Sequence, residues 1–152
     1  MYQTLLYLHS AFRWLVLLSL VVAIITAAQG LRAKRIFNKC DNFIRHWTAT
    51  IAHIQLLLGM VLYTQSPIIR YFWKNKSEAL QNLDTTFFAL IHLALMLTAI
   101  VIITIGSALA KRRPTNDAAF RTVLIYYSVA LTLILCAIPW PFSPLATRPY
   151  LR

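Results

Sequence analysis

LLYLHSAFRWLVLLSLVVAIITAA, residues 5–28, is an apolar run of 24 residues whose only charged or imidazole side chains are His9 and Arg13. At 1.5 Å per residue a helix of that length reaches about 36 Å, more than the roughly 30 Å of a bilayer's hydrocarbon core. Three further runs of similar character follow at 43–63, 86–109 and 122–138. Lipid offers the backbone no hydrogen-bond partners, so each run is predicted to be a helix. The chain reads as one all-α domain, 1–152, an integral membrane up-down-up-down four-helix bundle.

Composition agrees. The chain is 59% hydrophobic and 12% charged, with a mean hydropathy of +0.64, which leaves little for a soluble module. The net charge is +11. Most of the basic residues flank the apolar runs, where anionic lipid headgroups are the natural partner. No basic stripe with interleaved aromatics is present, so nucleic acid is not expected. Nor does the first run read as a cleavable signal, since no Lys or Arg precedes it and Arg13 interrupts it.

Orientation follows from the connections. Arg32, Lys34, Arg35, Lys39 and Arg45 flank the first, and Lys111, Arg112, Arg113 and Arg121 the third. Arg70, Lys74, Lys76, Arg148 and Arg152 lie on the other side. The richer side is expected in the cytoplasm, with both termini outside. Caps are expected at Asp41 or Asn42, at Asp84, and at Asn116 or Asp117, with Gly30 closing the first helix. The middle connection, 66–83, carries Tyr71, Phe72 and Trp73 beside Lys74 and Lys76, as an interfacial anchor would.

Ionisable groups inside apolar runs are costly and mark sites. Here they are His9, Arg13, His53 and His92, while His46 falls near a helix end. Counting rise from the expected helix ends places His9, His53 and His92 in the outer half of the bilayer. A b-type haem takes two imidazoles from facing helices. The matched depth makes His53 and His92 the preferred axial pair, with His9 as alternative ligand. Arg13 is one turn after His9 on the same face, placed to meet haem propionates, a quinone headgroup or a lipid phosphate. Its bland alternative is snorkelling. Met96 and the pairs Phe87-Phe88 and Tyr126-Tyr127 are expected to fill the core. Cys40 and Cys136 form no metal-type spacing, and no C-x-x-C-H occurs for covalent haem.

The stretches His9-Ser10-Ala11-Phe12-Arg13-Trp14, Arg45-His46-Trp47-Thr48-Ala49-Thr50-Ile51-Ala52-His53-Ile54-Gln55 and Ile138-Pro139-Trp140-Pro141-Phe142, with His92 between the last two, resemble small bacterial four-helix membrane proteins labelled cytochrome b or cytochrome b-like. The resemblance covers nearly the whole chain. It implies a b-haem electron carrier of the bacterial inner membrane, linked to quinol and to a respiratory complex or homo-oligomer. Two alternatives stand beside it. One is an accessory subunit of a larger membrane complex with no cofactor of its own. The other is a copper or zinc site made by His9, His53 and His92.

Overall fold

Asn38 shows how the ends of the helices are set. Its side chain accepts from the Asp41 amide, and the Asp41 carboxylate accepts from the Asn38 amide at 3.0 Å, a closed capping box. The second helix therefore starts earlier than either expected cap, and Asp41 sits inside its first turn. Similar shifts occur elsewhere. Asn82, not Asp84, caps the third long helix, and Thr115 caps the fourth in place of Asn116 or Asp117. Side chains three residues ahead of a free N–H have the right reach, so the cap is chosen by geometry among several candidates.

The computed structural model describes residues 1–143, 146 and 148. Arg152, counted in the charge balance, lies outside them. Among the described residues the chain is all helical, 84% helix with no strand. In chain order the helices are α1 (Tyr2–Arg32), α2 (Lys39–Gln65), α3 (Pro67–Lys74), α4 (Lys76–Ala79), α5 (Leu83–Thr86), α6 (His92–Arg112) and α7 (Asn116–Ala137). A π-helical turn, Phe87–Ile91, joins α5 to α6, so that Leu83–Arg112 runs as one helix. Four helices, α1, α2, Leu83–Arg112 and α7, are long and apolar enough to cross a membrane.

Gly30 lies inside α1 and does not close it. A Cβ there would fall 2.3 Å from the Phe120 ring, so the missing side chain lets α7 come close. The helix ends two residues later, and Lys34 follows with φ 48, in the left-handed region.

The four long helices form a ring. α1 packs on α2 and α7, and α6 packs on α7 and α2, which leaves α1 and α6 diagonal. The interior is built from small residues, among them Ala23, Ala27, Ala52, Ala99, Ala130 and Ala137, around Leu20, Ile103 and Tyr127. Bulky side chains such as Leu18, Leu57, Val101 and Ile125 face outward. That inversion suits helices whose surroundings are as apolar as their core.

Polar ties cluster at the end where α2 begins. Buried Arg45 donates to Ser107 O at 2.7 Å, to the Ser107 hydroxyl and to Asn42 Oδ1, and its own carbonyl accepts from Tyr127 Oη at 2.7 Å. One guanidinium thus links α2 to α6, and its backbone to α7. Nearby, Arg35 grips Asp41 with two bonds of 2.5 and 2.6 Å. That pairing holds the Arg35 guanidinium above its usual pKa.

The middle connection is more structured than its sequence indicated. Ser66 caps α3 and Pro67 opens it. Ile69, Phe72, Ala79 and Ala89 make a second, smaller core with Tyr63 and Phe88 packed on it.

Candidate ligand cavity

Because α1 and α6 stand diagonal, a cavity of about 210 Å³ opens between them. Its walls are largely apolar: Leu6, Leu56, Met60, Leu93, Met96 and Ile134. Into it come His9, Ser10 and Arg13 from α1, Gln55 and Gly59 from α2, and His92 from α6. Arg148 and Tyr63 line its edge. No carboxylate lines it among the described residues.

His92 is fixed by the end of α7. In a continued helix the Ala137 carbonyl would accept from the amide of residue 141, and the Leu135 carbonyl from residue 139. Both positions are proline and have no N–H. Trp140 Nε1 takes the Leu135 oxygen at 2.9 Å, and His92 Nδ1 takes the Ala137 oxygen at 2.7 Å. A carbonyl only accepts, so Nδ1 carries the hydrogen, and in the neutral ring Nε2 keeps its lone pair. The Pro-Trp-Pro end of the sequence thus positions a histidine 45 residues away. Local punctuation was legible in those prolines; the partner they served was not.

His9 is held by α2. Gln55 Nε2 donates to the His9 carbonyl at 2.9 Å and stands 3.4 Å from His9 Nε2. Gly59 makes room for the ring, since a Cβ there would lie 3.2 Å from His9 Cε1. His9 Nδ1 and Gln55 Oε1 are buried without a hydrogen-bond partner, an arrangement that costs energy unless a ligand supplies one. Arg13, one turn on, lies beside the Trp14 ring at 5.5 Å, and Trp14 meets Trp140 edge-on. Arg148 pairs with Asp84 at 2.6 Å and stacks on Phe88 at 4.7 Å.

His53 stands elsewhere. Its Nδ1 is 2.7 Å from Ala49 O and its Nε2 3.0 Å from Thr104 Oγ1. Thr104 is twelve residues past His92, about 18 Å along α6, so the expected depth match between His53 and His92 is not kept. Thr50 bonds its own helix at His46 O, and Gln55 donates to the His9 carbonyl. His46 is exposed beside Trp47. The structure therefore gathers His9, Arg13 and His92, with Gln55, and leaves His53 outside. No group of three or more His, Cys, Asp or Glu among the described residues is disposed to hold a metal ion. Cys40 and Cys136 are free and exposed.

Gln55 and Gly59 are site residues that do not stand among the ionisable candidates of the sequence. Gln55 is an uncharged polar group in the middle of an apolar run, which is the signal that marks it. Compared with family models, curated proteins and solved structures, the chain matches none.

Proposed function

We propose that this chain is a b-type cytochrome-like electron carrier of a bacterial inner membrane, with one haem b in the cavity between α1 and α6. One observation carries the reading. Two imidazoles from diagonal helices line one apolar cavity, with an arginine a turn away. His92 would serve as an iron ligand through Nε2, since its Nδ1 is anchored on Ala137 O. His9 would supply the second imidazole if Gln55, 3.4 Å from its Nε2, gave way. Its unpartnered Nδ1 marks a ring whose environment is incomplete. His53 has both nitrogens near protein atoms, so His9 replaces it in the proposed pair.

When bound, a haem held by two histidines would supply one-electron exchange. The residues of the chain do the rest. Arg13 offers its charge to propionates, the apolar walls exclude water, and Ala137 O fixes the His92 tautomer. In this reading the helices cross the bilayer up-down-up-down, both termini lie outside, and quinol and a larger respiratory complex are the partners.

The visible spectrum of the purified protein, before and after dithionite, tests it. A Soret band with sharp reduced α and β bands is expected, lost in His9→Ala and in His92→Ala and kept in His53→Ala and His46→Ala. Loss in His53→Ala with retention in His9→Ala would restore the pair of matched depth. A colourless, folded protein would sink the cytochrome reading.

A second reading rests on the way α2 encloses the His9 ring at Gln55 and Gly59. In it the chain is an accessory subunit with no metal cofactor, and the cavity takes a quinone headgroup on Arg13, Gln55 and His92.

A further inference from the structure

Just before His92 the third long helix makes one wide turn. The His92 amide donates to Phe87 O, five residues back instead of four. A π-turn spends an extra residue, which rotates everything beyond it by about 100° relative to what precedes it. It also leaves a carbonyl without its usual helical donor. That carbonyl is Phe88 O, four residues before His92; the next one, on fully buried Ala89, accepts from Tyr63 Oη at 3.1 Å. The Tyr63 hydroxyl in turn accepts from Trp73 Nε1 at 3.2 Å. The end of α2, the amphipathic α3 and the wide turn are thus joined through one oxygen.

We propose that Tyr63 is a positioning residue for His92: its hydroxyl holds the wide turn open, and the wide turn aims the imidazole at both Ala137 O and the cavity. Two facings have to be met within one stretch of helix. Upstream, Ala89 must pack into the small core with Ile69 and Phe72. Downstream, His92 must reach Ala137 O at 2.7 Å while Met96 lines the cavity. If the turn closed to an ordinary α-turn, one of the two would swing away. Tyr63 ties the Ala89 carbonyl, inside the wide turn, to the end of α2. Trp73 fixes where the Tyr63 oxygen sits. The inference rests on the proposed function only in treating His92 as the group to be positioned.

The test uses full-length protein in detergent micelles, with ¹⁵N-labelled histidine and dithionite present so that any haem is ferrous and diamagnetic. His92 is assigned with His92→Gln. Its Nδ1–H signal should be present and slowly exchanging in the parent. Tyr63→Phe should speed that exchange about tenfold, the worth of one buried hydrogen bond, while the His53 signal stays unchanged. Unchanged His92 exchange in folded Tyr63→Phe overturns the proposal. So does equal loosening of His53 and His92, which would mean that Tyr63 only fills space. If Tyr63→Phe does not fold, Trp73→Phe keeps the hydroxyl and removes its donor. It should speed His92 exchange less but in the same direction, and no change there overturns the proposal. The Soret band of the same samples reports haem separately, so a colourless protein with the expected exchange keeps Tyr63 in this role and loses the cytochrome reading.

Discussion

Gly106 is a residue whose role is entirely steric. A Cβ placed on it would lie 2.4 Å from Tyr126 Cβ, an atom tied directly to the α7 backbone. Nothing flexible stands there to give way, so Gly106→Ala should push α6 off α7 and destabilise the fold by about 1–3 kcal/mol. Reversible unfolding in mixed micelles would measure it, and a stability within about 0.5 kcal/mol of the parent, the usual spread of surface changes, would refute it. Gly59→Ala makes a useful contrast, because the atom it approaches, His9 Cε1 at 3.2 Å, belongs to a side chain that can shift. Its effect should appear at the cavity more than in stability. Arg13 belongs to the same scale. Arg13→Leu should leave folding intact but lower haem occupancy or move the midpoint potential, since the residue lines the cavity beside His9. Wild-type values for both would reduce Arg13 to a snorkelling cation.

At the scale of elements, the helix ends are governed by caps that compete within a few residues. Asn38 wins the start of α2 because its side chain and that of Asp41 satisfy each other's backbone amides. Asn38→Ala should cost about 0.5–2 kcal/mol, visible as faster amide exchange confined to the first turn of α2. Exchange no faster than in the parent would show that the Arg35–Asp41 pair alone holds that turn. The wide turn at Phe87–Ile91 lay beyond sequence reading for a physical reason. Its residues, FFALI, have nothing that disfavours an α-helix. What meets it is the Tyr63 hydroxyl from another helix and the small core into which Ala89 packs.

For the whole molecule, orientation is the open variable, and charge is the lever. Nine basic side chains flank the first and third connections, against five on the opposite side. Cys40 is exposed in the richer group. A membrane-impermeant maleimide added to intact cells should leave Cys40 unlabelled and react once the membrane is opened. Labelling from outside would reverse the orientation and carry the cavity to the inner half of the bilayer.

The sequence alone determined that there are four long apolar helices and which ionisable groups lie in them, because both follow from run length and from a backbone that must bond to itself where no water reaches. His9, Arg13 and His92 were legible as site candidates on that ground. Which histidines share a site was decided only by tertiary structure. Depth counted from a guessed helix end drifts by 1.5 Å for every residue of error, and it takes the ends of neighbouring helices to lie at one level, which only their packing decides. Rotation about the helix axis is set by partners remote in sequence. His53 turns to Thr104, and His9 is enclosed by Gln55 and Gly59. His92 is drawn to a carbonyl that two prolines at the far end of α7 leave free.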